Sequence, residues 1–142
     1  MFQRHRSRGF SLVELLLVLA VIGILSGIAI PSFLGQRRRA RVIGDAQSNV
    51  RILAMALEGR KADSGIYGTG GPYKWTVAAG ASDATFLPAV SLQGSSKMDY
   101  NVAISNGGLA YIISVTDPSM SNASVLSLDQ TGNLTLDATY NK

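Results

Sequence analysis

The 142-residue sequence predicts an α+β chain: one long N-terminal α-helix whose second half packs on a small antiparallel β-sheet head. Three observations predict it. An uncharged apolar run extends from Leu15 to Leu34, with residues past Pro31 continuing in helical character. Ala46, Val50, Leu53 and Leu57 then recur at spacings of four, three and four, the period of one helix face. Beyond residue 97 the apolar period drops to two, and turn residues punctuate it.

The apolar run is long enough for a helix of about 30 Å, the thickness of a bilayer's hydrocarbon core. Gly23 and Gly27 within it offer a close-packing face, or simply reflect how common glycine is in membrane helices. Pro31 should bend the helix without ending the pattern. Continued from Ser11 to Lys61, the helix would measure about 77 Å. Its second half is amphipathic, with Arg, Asp, Gln and Glu opposite the apolar stripe.

Residues 64–97 are rich in Gly, Ser and Ala and read as a loop, with a firm turn at Gly70-Gly71-Pro72. Tyr67, Tyr73, Trp75 and Phe86 should contribute to the head core, one or two of them as exposed contacts. Met98–Ser105, Leu109–Thr116, Val125–Asp129 and Leu134–Asp137 read as strands of a meander filling 98–142. Asn106-Gly107-Gly108, Asp117-Pro118 and Thr131-Gly132-Asn133 supply the turns.

Composition argues against catalysis. There is no Cys, which removes disulfides and thiolate metal sites. The single His lies at position 5 in a basic stretch, so no imidazole is left for a nucleophile–base pair, and no glycine-rich phosphate loop occurs. The expectation is a chain that is not an enzyme, with no cofactor, no catalytic residue and no metal. The net charge of +4 divides unevenly. Arg4, Arg6 and Arg8 precede the apolar run, Glu14 stands at its start, and residues 37–61 hold seven basic against two acidic groups. From residue 62 onward six Asp outweigh three Lys. Basic charge that flanks an apolar helix without interleaved aromatics fits a membrane flank, and no nucleic acid is expected.

A basic stretch before an apolar run is ordinarily a cleaved secretory signal or a retained signal-anchor. Glu14 fits neither well, because a carboxylate at the start of such a run opposes insertion, unless it merely sits at the interface in the first helical turn, where the dipole favours an acid. Its neighbours give it a context. Arg8-Gly9-Phe10-Ser11-Leu12-Val13-Glu14, followed by the apolar run, resembles the prepilin signature of the type IV pilin-like family, which includes type IV pilins and type II secretion pseudopilins. Pro31 and Gly35 stand where such sequences carry a Pro and a small or flexible residue, and the stretch Ala46–Tyr67, ending in Ala62-Asp63-Ser64-Gly65-Ile66-Tyr67, resembles the family's close of the long helix. The frequent Tyr-Pro is here Tyr67-Gly68. The resemblance is strong over residues 8–67 and architectural beyond.

The resemblance implies a pilin-like organisation. Residues 1–9 would be a cleaved basic leader, 10–35 a transmembrane and assembly helix, 36–63 an amphipathic continuation, 64–97 the loop and 98–142 the meander. A membrane-embedded prepilin peptidase would cut between Gly9 and Phe10 and N-methylate Phe10. Glu14 would pair with the Phe10 amine of a neighbouring subunit, with Pro31 also serving assembly. Partners implied are copies of the chain itself, related minor pilins, the peptidase, an inner-membrane assembly platform, and membrane lipid before assembly. The location implied is the inner membrane, single-pass with a periplasmic head, and then an extracellular or periplasm-spanning filament. Orientation comes from the resemblance alone, because three Arg before the run oppose Arg37, Arg38, Arg39 and Arg41 after it. That basic cluster has two readings: a lipid-phosphate flank, or a contact to acidic head residues (Asp63, Asp83, Asp99, Asp117, Asp129, Asp137) of another copy.

Two other functions compete with a filament subunit. One is a non-polymerising bitopic inner-membrane protein whose periplasmic head binds a ligand or partner; the other is a secreted domain with a conventional signal. The mature N-terminus separates the three: methylated Phe10, intact Met1, or a start near residues 30–36. Asp129-Gln130-Thr131-Gly132-Asn133 carries oxygen ligands near a Gly, but it lacks the Asp-rich calcium-loop pattern and reads as a hairpin turn. Asn122-Ala123-Ser124 and Asn133-Leu134-Thr135 are formal glycosylation sequons expected by chance.

Overall fold

A computed structural model describes residues 9–76, 86–92, 97–138 and 140. Helix α1 runs from Leu12 to Ser64. Five strands follow: β1 (Tyr73–Trp75), β2 (Asp99–Ser105), β3 (Ala110–Asp117), β4 (Ala123–Asp129) and β5 (Leu134–Leu136). The chain divides into two compact units, Met1–Arg38 and Arg39–Lys142.

In the first unit the helix continues through Pro31 without a break in its assignment. Its apolar side chains are exposed: Leu12, Leu19, Leu25 and Ile28 are each more than half exposed. This segment is long and apolar enough to cross a membrane, by length and composition.

In the second unit the helix shows one apolar face. Ala46, Val50, Leu53 and Leu57 are all fully buried, as their spacing predicts. Asn49 shares that face and is equally buried; its Nδ2 donates to Tyr100 Oη at 2.8 Å, which satisfies a polar group that would otherwise oppose burial. The sheet order is β1-β2-β3-β4-β5 with every neighbour antiparallel; short connections join β2 through β5, whereas residues 76–98 separate β1 from β2. Register aligns Tyr100 with Val115 and Leu126, and Val102 with Ile113 and Leu128. These six are buried in one cluster with the helix stripe, whereas the alternate row of Asn101, Ser114, Ser127 and Thr135 faces away. Burying each large aliphatic side chain contributes about 1.5–3 kcal/mol.

The segment expected to be a loop differs from expectation in one respect. It contributes β1, which adds to the sheet edge with Trp75 opposite Tyr100. Phe86 stacks on Tyr73 with ring centroids 3.5 Å apart, and the Arg60 guanidinium lies 4.7 Å over Phe86 while donating to its carbonyl at 2.9 Å. Tyr67, Trp75 and Phe86 are buried and Tyr73 is half-buried, so all four help build the core and none is an exposed contact. Two glycines fix how this segment meets the β2–β3 turn. A Cβ on Gly108 (φ +91°) would sit 2.6 Å from the Gly68 carbonyl oxygen, and one on Gly68 (φ +156°) would sit 2.7 Å from the Phe86 ring.

Candidate functional site

The residues singled out at the N-terminus lie at the start of α1. Gly9 and Phe10 are non-helical, and Phe10 is 84% exposed. A Cβ on Gly9 would meet nothing within 4 Å. The leader residues Arg4, Arg6 and Arg8 lie outside the described residues.

Helix formation begins at Leu12 because Ser11 and Glu14 cap it reciprocally. The Ser11 backbone N–H donates to Glu14 Oε2 at 2.9 Å, and the Val13 N–H donates to Ser11 Oγ at 3.4 Å. Glu14 thus turns its carboxylate toward its own helix N-terminus, where unpaired N–H groups and the dipole favour negative charge. The Ser-x-x-Glu spacing is a capping signal that sequence reasoning passed over in favour of Glu14's membrane cost.

A Cβ at Gly23 or Gly27 would meet nothing within 4 Å. The basic cluster divides between the two units. Arg37 and Arg38 fall in the first, where the Arg37 guanidinium lies 5.5 Å over the Phe33 ring. Arg39 and Arg41 fall in the second, and Arg39 is close enough to bear on the ionisation of Tyr140.

The acidic candidates differ sharply in availability. Asp117 is buried, its Oδ1 accepting from Ser119 N and Oγ at 2.8 and 2.6 Å and its Oδ2 from Tyr140 Oη at 2.9 Å. Burial pushes its pKa upward, but the bonds from Ser119 and Tyr140 outweigh burial and hold it below the usual carboxylate value. It is committed inside its own head. Asp129 Oδ1 accepts from Thr131 N, Thr131 Oγ1 and Asn133 N at 2.9, 2.6 and 3.0 Å, and these bonds, Thr131 first, depress its pKa. The 129–133 loop is therefore a side-chain-closed hairpin turn. Among the described residues no group of three acidic, His or Cys side chains is placed to hold a metal ion. Asp83 lies outside the described residues. Asp63 is exposed at the end of α1.

A second cluster was not legible in the sequence. Glu58 Oε1 accepts from Tyr67 Oη at 2.9 Å and Tyr111 Oη at 3.5 Å, while Lys61 Nζ donates to Tyr67 Oη at 3.3 Å. Tyr67 and Tyr111 meet edge-on with centroids 4.7 Å apart. Burial first, then the Glu58 charge, pushes the Tyr111 phenol up to about 12. The cluster ties the helix end, the residues after it and β3 together.

A family model described as the prokaryotic N-terminal methylation motif matches residues 4–30. A fimbrial protein of Pseudomonas aeruginosa is 31% identical over 121 residues, covering 82% of this chain and 72% of that one. The type IV major pilin protein PilA of Myxococcus xanthus is 33% identical over 98 residues, covering 61% and 44% respectively. The type II secretion system core protein G of Pseudomonas aeruginosa is 31% identical over 65 residues, covering 46% and 45%. The chain thus spans less than half the length of the latter two relatives. No solved structure gives a significant match.

Proposed function

The chain belongs to the type IV pilin-like family, and we propose that it is the structural subunit of a pilus or type II secretion pseudopilus, polymerised through its N-terminal helix. The observation that carries this reading is the pairing of a prepilin motif at Gly9-Phe10 with an apolar helical segment whose side chains are exposed. Such a segment needs lipid or other copies to cover it. A bilayer supplies the first cover and a filament core the second.

In this reading prepilin peptidase removes residues 1–9 and methylates the new Phe10 amine. The head is periplasmic and the subunit spans the inner membrane once until an assembly platform, with minor pilins, extracts it. Glu14 exchanges its bond to its own Ser11 N–H for the Phe10 ammonium of a neighbour. An unpaired carboxylate buried among apolar helices is costly and an ammonium offsets that cost, so wrong register is penalised. Arg37, Arg38, Arg39 and Arg41 snorkel to lipid phosphate before assembly and face acidic groups of other copies afterwards, each exposed pair contributing only about 0.2–1 kcal/mol. Asp117 is not among those acids, being committed to Ser119 and Tyr140.

Mass spectrometry of the mature protein tests the processing step: methylated Phe10 is expected as the N-terminus, and full-length precursor from Gly9→Val. Intact Met1 in the wild type would instead favour the bitopic, non-polymerising reading. Glu14→Val should insert into membrane at least as well as wild type yet assemble poorly; normal filament yield from that variant would contradict the pairing.

A further inference from the structure

Among the acids weighed against the basic cluster, one stands on α1 itself. Asp117 and Asp129 close their own turns, whereas Asp63 is exposed in the last turn of the helix. Negative charge is disfavoured there, because the carbonyl end of the helix dipole is already negative. The two cations just before it are turned elsewhere. Arg60 donates to the Phe86 carbonyl at 2.9 Å and lies over that ring, and Lys61 donates to Tyr67 Oη at 3.3 Å. Among the described residues Asp63 has no hydrogen bond or ion pair of its own.

Arg41 is also exposed, 22 positions earlier on the same helix. With about 3.6 residues per turn that separation is roughly six turns, so the two residues share one helix face about 33 Å apart. Between them the face carries Ser48, half-buried Ile52, Met55 and Gly59, and Met55 is 75% exposed. Asp45, a turn beyond Arg41, already has an interaction within the chain. A cation near one end, an acid at the other and uncharged residues between make the face complementary to a shifted copy of itself.

We propose that Arg41 of one copy pairs with Asp63 of another, their parallel helices shifted by about 33 Å along their length. The inference rests on the filament reading, in which every copy leaves the bilayer in one orientation and the helices run parallel. It names the acid that the basic cluster meets and the shift that the meeting requires. Each copy offers Arg41 to one neighbour and Asp63 to a different one, so the contact is head-to-tail and propagates. Antiparallel copies would instead satisfy both residues at once and close as a pair.

Cysteine cross-linking in assembled filaments tests this, because the sequence has no cysteine of its own. Arg41→Cys and Asp63→Cys are introduced together. At about 33 Å the two thiols cannot meet within one chain, since a disulfide needs Cα atoms within about 7 Å. Mild oxidation should give a ladder of covalent multimers from the double variant and no dimer from either single variant. A product that stops at the dimer would mean that copies close antiparallel, and dimers from a single variant would mean that like residues meet; either overturns the pairing. Arg41→Lys keeps both charges, so it serves where their loss prevents assembly. Carbodiimide should couple its amine to Asp63 of another copy, identified as a cross-linked peptide by mass spectrometry. Arg41→Glu and Asp63→Arg should each lower filament yield by about fivefold, the upper range for one exposed pair at each junction, and together they should restore it. Filaments that form without either cross-link would sink the pairing and leave the filament reading standing. Wild-type protein that forms no filaments would sink the filament reading itself.

Discussion

The two stretches of α1 obey the same backbone geometry and opposite solvent rules. From Leu12 to Leu34 apolar side chains surround the helix on every side and remain exposed. From Ala46 to Leu57 they form one stripe that is fully buried. The first stretch carries its hydrophobic surface outward to a partner; the second has its partner in the same chain. A helix apolar all round needs apolar surroundings, and one with a single stripe needs only a sheet. The difference teaches that folding of the head and covering of the N-terminal segment are separate problems for this chain.

Substitutions sort by that separation. The largest effect is expected for Leu53→Ala, which should destabilise the head by about 2–5 kcal/mol through lost burial and a residual cavity. Urea unfolding of the full chain in micelles, followed by fluorescence of the buried Trp75, would measure it. Asn49→Ala removes the partner of Tyr100 Oη and should cost about 1–3 kcal/mol in the same assay. A value near zero would mean that water replaces the amide and that the buried polar pair is dispensable.

Alkali should act on the head, against which the second stretch packs. Burial, with the Glu58 charge next, pushes Tyr111 up to about 12; burial, with the Asp117 bond next, does the same for Tyr140. Folded values above the ordinary 10 favour the neutral phenols, so this stabilisation is complete below pH 10 and is lost as pH rises toward 12. Helical circular dichroism from the N-terminal segment should persist through that range while near-ultraviolet signals of the head fade.

Smaller and opposite in sign is the effect of filling the helix glycines of the head. Gly44 and Gly59 are helical, exposed and surrounded by open space, so alanine at either should stabilise the head by about 0.5–1 kcal/mol. The smallest effect is expected for Leu19→Ala, in the apolar stretch. It should leave the head's urea midpoint unchanged, and a shift comparable to Leu53→Ala would collapse the distinction between the two stretches.

Most of this division is legible in residues. The helix stripe, the order of four strands and the turns all follow from periods of 3.6 and 2 and from Gly, Asn and Asp. β1 is not legible, because Tyr73-Lys74-Trp75 is too short to show alternation and stands in a glycine-rich stretch. Its strand character comes from the neighbouring edge of β2. Val125 and Leu126 are both buried although adjacent, since a register shift opposite Val115 and Thr116 breaks strict alternation. At the candidate site the Gly9-Phe10 motif is plain in the sequence, whereas the reciprocal Ser11–Glu14 cap is legible only to a reader attending to helix ends. The Asp117–Tyr140 bond joins positions 23 apart with no pattern between them, so only packing reveals it.

The near-contact of Gly68 with Gly108 has a consequence for how this head can vary over generations. Each position forbids a side chain for a different neighbour: Phe86 and Ile104 at one, the Gly68 carbonyl and Ile66 at the other. The obstacle at 108 is main chain, which no compensating replacement elsewhere can trim. At 68 the obstacles are side chains, so a smaller residue at 86 or 104 relieves part of the crowding, although the backbone angle still disfavours anything but glycine. A library randomised at 68, 86, 104 and 108 and sorted for folded heads should therefore show covariation among the first three. Position 108 should stay invariant in every lineage that survives.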